Sequence, residues 1–169
     1  VERQAEPLQI RIWLFFEHSA RSGNGFVSAL SMIWLLMLSG VIRFAHVQRS
    51  KVVSVTPDFI KGFSSRGKKR TQGKRKPFEW SAPRYGIKGF DLGLYLQAYL
   101  RRASASDDQP CFLLFDFLPA RASLSAVTAF APRAMPMARF VSFTRRLLLT
   151  SRLGLSKYDL KRITTYSAR

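Results

Sequence analysis

The feature that most constrains this chain is an uncharged run of 18 residues from Gly25 to Ile42, GFVSALSMIWLLMLSGVI. At 1.5 Å per residue, a helix of that length spans about 27 Å, close to the hydrocarbon thickness of a bilayer. Because Arg43 can snorkel, the apolar segment extends to Val47. The run predicts a transmembrane helix over residues 25–47. A helix buried inside a protein is the alternative, because the run lies at the short end of the spanning range.

Small residues and one tryptophan predict that this helix packs against other helices. Ser28, Ser31 and Gly40 permit the close approach of a neighbouring helix. Trp34 lies near the middle of the run, away from the interfacial depth that tryptophan prefers in a bilayer. These four residues are the predicted helix-packing positions.

All of the net positive charge follows the apolar run. The formal net charge is +18, and residues 1–24 contribute none of it, because three arginines there balance three glutamates. Cationic flanks mark the side of a span that stays in the negative compartment. The predicted location is therefore the mitochondrial inner membrane, with the N-terminus in the intermembrane space and the C-terminal region in the matrix. Residues 1–24 are predicted to be an interfacial amphipathic segment, too acidic at its beginning for a transit peptide.

A strongly basic segment, KGFSSRGKKRTQGKRK, extends from Lys61 to Lys76 and contains no acid. Its glycines interrupt any helix, so residues 48–90 are predicted to be an irregular basic and aromatic arm. Three interpretations stay open: a solvated loop, an arm on anionic phospholipid such as cardiolipin, and an arm on RNA. The residues predicted to bind lipid or RNA phosphates are Lys61, Arg66, Lys68, Lys69, Arg70, Lys74, Arg75 and Lys76.

Residues 91–169 are predicted to form short helices and irregular docking segments. Asp91 can cap a helix over residues 91–102. A helical pattern begins again at Arg139, and Ser156 and Asp159 have the spacing of a capping box.

An apolar run over residues 111–118 is too short to span a bilayer as a helix. It predicts a buried strand or a segment that docks on a partner. Asp116, inside the run, is expected to face an arginine. Cys111 is the only cysteine, which excludes a disulfide within the chain, and we expect it to be a small buried hydrophobe.

These segments together predict a mainly α fold. It would comprise a single transmembrane helix, an interfacial N-terminal helix and an extended, irregular basic C-terminal region containing short helices.

Catalytic chemistry is not apparent in the sequence. His18 and His46 are the only histidines and would lie on opposite sides of the predicted span. The ten acids are scattered, and no phosphate-binding loop, metalloprotease or nucleophile-elbow motif is present. We therefore expect a protein that is not an enzyme and has no catalytic residues, cofactor or metal.

The organisation of the chain resembles that of small accessory subunits of mitochondrial inner-membrane complexes. It implies a non-catalytic subunit of a respiratory complex or ATP synthase, anchored by one span and bound to lipid and to other subunits. The segment RLGLSKYDLKRI, residues 152–163, resembles a stretch in a small-subunit ribosomal protein family. The total charge of +18 favours the alternative, a structural protein of an organellar ribosome that binds rRNA through its basic arm.

Overall fold

The computed structural model describes residues 8–22, 25–67, 73, 76–104, 108–117, 124–127 and 129–164. Its elements, in chain order, are α1 (Ile10–Ser22), α2 (Gly25–Gly40), α3 (Phe44–Val47), β1 (Ser50–Val55), β2 (Phe59–Ser64), β3 (Phe78–Pro83), α4 (Leu92–Ala103), a 3-10 turn (Leu124–Ala126), α5 (Met137–Leu149) and α6 (Lys157–Arg162).

Helix α2 forms the centre of the hydrophobic core. Every residue from Phe26 to Leu38 is buried, and α1, β3, α4, α5 and the 3-10 turn contact the helix from different sides. A helix that is apolar all round needs apolar surroundings, and here the chain itself supplies them. None of the helices in the described ranges is long and apolar enough to cross a bilayer. The predictions of a transmembrane helix over residues 25–47 and of an inner-membrane location are therefore wrong.

Helix α1 covers one side of α2. Its buried residues Ile12, Phe16 and Ala20 follow helical spacing. The Ser28 hydroxyl donates a hydrogen bond of 2.8 Å to the Ala20 carbonyl and links the two helices. The predicted amphipathic helix is present, but its apolar face lies on α2 and not on a membrane interface.

Four stacked rings cross the core. Phe16 and Trp34 lie 5.4 Å apart, Trp34 and Phe140 lie 5.3 Å apart, and Phe140 and Phe44 lie 4.1 Å apart, with interplanar angles of 3°, 22° and 12°. The rings belong to α1, α2, α5 and α3. This column therefore joins the beginning of the chain to its C-terminal part through Trp34.

A three-stranded antiparallel sheet of order β1-β2-β3 occupies the region predicted to be an irregular arm. The sheet, and its position on a core of packed helices, correct the predicted fold class. The indole of Trp80 lies across Gly62, its register partner, and a Cβ at Gly62 would overlap that ring. Trp80 Nε1 then donates to Ser50 Oγ on β1 at 3.0 Å. The glycine that resembled a breaker is thus the place where a β3 side chain crosses the sheet.

Two of the C-terminal helices, α4 and α6, begin at the predicted caps. The Asp91 side chain accepts from the Leu94 amide and caps α4. Ser156 and Asp159 form a complete capping box at the start of α6. Both predictions are confirmed, since a cap depends only on local hydrogen bonds.

The segment 111–117 is irregular, with one isolated bridge between Phe115 and Ala134. Asp116 is 1 % exposed and is paired with Arg133 at 2.9 Å and Arg139 at 3.0 Å, which confirms the expected arginine partner. Cys111 is exposed, so the expectation of a buried hydrophobe is wrong.

Candidate nucleic-acid interface

The basic segment is the connection of a β-hairpin. Strands β2 and β3 are paired from Phe59–Pro83 to Ser64–Phe78, and the basic loop, residues 65–77, joins them. The base of this loop is held by two backbone hydrogen bonds: the Gly67 amide donates to Lys76 O at 2.7 Å, and the Ser65 amide donates to Arg49 O at 2.8 Å. The loop therefore leaves a fixed stem.

Three of the predicted phosphate-binding residues lie on this stem. Lys61 is exposed on β2, and Arg66 and Lys76 are exposed on either side of the loop base. The remaining five lie outside the described residues: Lys68, Lys69, Arg70, Lys74 and Arg75.

Strand pairing brings to the base of the loop cations that are distant from it in the sequence. Lys51, at the start of β1, is the register partner of Phe63, near the end of β2. Arg49 directly precedes β1 and holds Ser65 through its carbonyl oxygen. We call the set Arg49, Lys51, Lys61, Arg66 and Lys76 the basic end of the sheet.

His46 lies beside this basic end. Its ring contacts Phe78 edge-on, with ring centroids 4.8 Å apart. Partial burial lowers the pKa of His46, and the positive charges of Arg43 and Arg49 lower it further. Burial and the nearby positive charges both disfavour the protonated imidazole, burial more strongly.

The outward face of β2 carries two exposed aromatic rings. Phe59, Lys61 and Phe63 alternate with the buried residues Ile60 and Gly62 along the strand. Phe59 is 47 % exposed and Phe63 is 39 % exposed. The period-two alternation in FIKGF was the available signal, but Gly62, Gly67 and Gly73 led to the interpretation of the segment as an arm.

Negative charge is sparse on this face. Among the exposed residues of the three described strands, Glu79 is the one acid, and it is the register partner of Phe63 on β3. Asp58 lies in the turn between β1 and β2, at the end of the sheet away from the basic loop. The charge along β2 therefore becomes more positive toward the loop.

Several other acids form hydrogen bonds or ion pairs within the fold. Glu17 is 2 % exposed, and its Oε1 accepts from the amides of Lys88 at 2.6 Å and Phe90 at 3.2 Å. Gly86 allows this approach, since a Cβ there would lie 2.6 Å from the Glu17 carboxylate. The acid therefore holds the loop from Gly86 to Phe90 against α1.

Asp91 has two roles at once. It caps α4 and accepts from Arg84 Nε at 2.9 Å and from Arg84 Nη2 at 2.7 Å. The hydrogen bonds from the Arg84 side chain lower the pKa of Asp91. Together with Asp116 and Asp159, this acid takes part in contacts within the fold.

The four predicted helix-packing residues all lie on α2. Ser31 and Trp34 are fully buried, and Ser28 bonds to α1. A Cβ at Gly40 would lie 3.1 Å from the Ala82 Cβ, so this glycine lets β3 approach the helix end.

A groove of about 510 Å³ lies between the outer edge of β1, the end of α4 and residues 108–110. The Gln109 amide reaches into the edge of the sheet, where it donates to Val52 O at 2.9 Å and accepts from the Val52 amide at 3.0 Å. It covers the unpaired edge of β1. Within the ranges that the structure describes, no cluster of three His, Cys, Asp or Glu side chains could hold a metal ion.

No known protein family, characterised protein or solved structure matches this chain.

Proposed function

We propose that this protein is a non-catalytic RNA-binding protein that holds RNA phosphates with the basic loop and the basic end of the sheet. Its role is structural, within a ribonucleoprotein particle such as an organellar ribosome. The observation that carries the proposal is the placement of the basic run as the tip of a hairpin whose stem is fixed by strand pairing and by the Gly67–Lys76 hydrogen bond.

The charge of the loop suits a polyanion. Residues 66–76 contain seven Lys and Arg and no acid. Each phosphate that such side chains neutralise releases counterions, and this release favours binding. For single-stranded RNA, the logarithm of the association constant falls by about 0.7 per contact for each tenfold rise in salt.

RNA is favoured over anionic lipid by the surroundings of the loop. The lipid interpretation drew on a membrane span just before the basic residues. Helix α2 is instead enclosed by the chain. Exposed rings next to the cations also match nucleic acid, because bases stack on aromatic side chains.

The test is titration of the full chain with a fluorescein-labelled single-stranded RNA, followed by fluorescence anisotropy between 50 and 300 mM salt. We expect a slope of about −4 to −5, for six or seven phosphate contacts. The test variant carries glutamine at Lys68, Lys69, Arg70, Lys74 and Arg75 and should bind with a slope shallower by about 3.5.

The matched control removes the same charge elsewhere. It carries glutamine at five exposed positions on α4, on α5 and after α5: Arg101, Arg102, Arg146, Arg152 and Lys157. We expect it to keep most of the wild-type slope. Equal loss of affinity in the two variants would mean that binding depends on the total charge of the protein and not on the position of the cations in the loop. The proposal would then fail.

Sedimentation with vesicles of phosphatidylcholine, with and without 30 mol % of an anionic phospholipid, tests whether the basic loop binds lipid instead of RNA. We expect weak binding that does not distinguish the loop variant from the control variant. Loop-dependent binding to the anionic vesicles, without measurable affinity for RNA, would overturn the proposal in favour of lipid.

A further inference from the structure

We propose that the outward face of β2 is a stacking platform, on which Phe59 and Phe63 hold two bases of a single-stranded RNA. This inference rests on the proposed function. It specifies unpaired RNA as the ligand, whereas the charge of the site alone would accept any polyanion.

The spacing of the rings fits an extended strand of nucleic acid. Residues four apart on a β-strand lie about 13 Å from each other, and Lys61 lies about midway between Phe59 and Phe63 on the same face. A cation between two stacking rings can hold a phosphate of the strand that passes between them. Every base has a π-face, so such a platform tolerates different sequences.

The platform is rigid before any ligand arrives. Strand β2 is the central strand and pairs with both neighbours. Beneath it, Ile60 is buried and the Trp80 ring lies across Gly62. Because the backbone that carries the two phenylalanines is already ordered, binding requires little ordering of the protein.

The platform is continuous with the basic loop. From Phe63 the chain passes through Ser64 and Ser65 directly to Arg66 and the loop. A strand of RNA with bases on Phe59 and Phe63 can therefore continue toward Arg66, which is exposed at the loop base.

The two sides of Phe63 differ in charge. Its register partner on β1 is Lys51, and its partner on β3 is Glu79. Phosphates are attracted to the β1 side and repelled on the β3 side. These charges favour an RNA backbone that passes on the β1 side of Lys61 and Phe63, with a base over Phe63.

The experiment uses the full chain and a labelled ten-nucleotide uridine RNA. Leucine at Phe59 or Phe63 keeps an exposed apolar group and removes the π-face. We expect each substitution to weaken binding about five- to tenfold, with the salt slope unchanged because no charge is lost. Tyrosine at the same positions should retain the affinity.

Two further variants sharpen the test. Tyr95→Leu removes a partly exposed ring from α4, away from the sheet face, and should not change affinity. Glu79→Gln removes the repulsive charge and should strengthen binding about two- to threefold, in line with exposed charge interactions of under 1 kcal/mol. Thermal melting checks that each variant is folded.

The failures of the two proposals are distinguishable. If the wild type binds RNA with the expected salt slope, but both leucine variants bind as the wild type does, the platform is overturned and the basic loop stands. The same holds if a duplex RNA competes as well as the single strand. If the wild type shows no salt-dependent affinity for RNA, both proposals fall. If the phenylalanines instead prove necessary for binding an acidic peptide, and not RNA, the face is a protein interface.

Discussion

Trp34 Nε1 donates a hydrogen bond of 2.8 Å to Thr144 Oγ1, in the middle of the core and between two helices 110 residues apart in sequence. The Thr144 hydroxyl in turn donates to Phe140 O at 2.8 Å. The one tryptophan of the apolar run thus has a polar partner that the chain itself provides. A lipid-facing indole would lack such a partner, and this pair explains why α2 can be enclosed by α5.

Thr144→Val tests this pair. The substitution conserves shape and leaves the buried indole N–H unsatisfied, so we expect the free energy of unfolding to fall by about 1–3 kcal/mol. Urea denaturation followed by circular dichroism measures it. Thr150→Val, at an exposed position at the end of α5, is the control and should cost well under 1 kcal/mol. The double variant Trp34→Phe, Thr144→Val should lose less free energy of unfolding than the two single variants together, because both polar partners are then gone.

The ion pairs of Asp116 predict that removing the buried acid costs more free energy of unfolding than removing its exposed partner, Arg133. Asp116 is 1 % exposed at its side chain, whereas Arg133 is 57 % exposed. Asp116→Ala removes the acid that holds Arg133, Arg139 and the segment 111–117, and we expect a loss of about 3 kcal/mol. Arg133→Ala should cost less than about 1 kcal/mol, because the exposed guanidinium returns to water and Arg139 still neutralises the acid. Chemical denaturation compares the two, and equal costs would contradict this account.

Gly62→Ala tests the sheet. A Cβ there would overlap the Trp80 ring, so the ring must move and its bond to Ser50 must break. We expect a loss of about 1–3 kcal/mol, as for other overpacked sites. Ser81→Ala, on the outward face of β3, is the control and should be nearly neutral. Weaker RNA binding in Gly62→Ala, beyond any loss of folded protein, is also expected because the platform lies on the same strand.

The pair of Arg84 and Asp91 predicts a dependence of stability on pH. Hydrogen bonds from Arg84 lower the folded-state pKa of Asp91 below its unfolded value of about 3.9. The folded protein therefore binds fewer protons at this group, and the stabilisation is complete above about pH 5 and lost as the pH falls through the folded pKa. The free energy of unfolding of Arg84→Gln should differ most from that of the wild type at neutral pH. This difference should close as the pH falls through the folded pKa of Asp91. Urea midpoints between pH 3 and 7 measure this, and a constant difference would contradict it.

Local hydrogen-bond chemistry is what the sequence predicts best. The caps at Asp91 and Ser156 depend on partners three residues away, so the sequence alone reveals them. The position of α2 was also evident from its composition. Its surroundings were not, because hydrocarbon and a protein interior are equally apolar, and the residues that enclose Trp34 come from distant parts of the chain.

The sheet was missed because its stabilising contacts are non-local. Gly62 resembles a breaker until Trp80, 18 positions later, is placed across it. The cations of the candidate site are visible in the composition of residues 61–76. The exposure of Phe59 and Phe63, and the approach of Lys51 to Phe63, follow only from strand register, which composition does not determine.

Ultraviolet cross-linking of RNA to the protein in its native particle, with the linked peptides identified by mass spectrometry, tests the central claim most directly. The account predicts cross-links within residues 59–83, at the platform and the basic loop, and their loss when the loop cations are replaced by glutamine. Cross-links confined to α5 and α6, or a particle that contains no RNA, would contradict it.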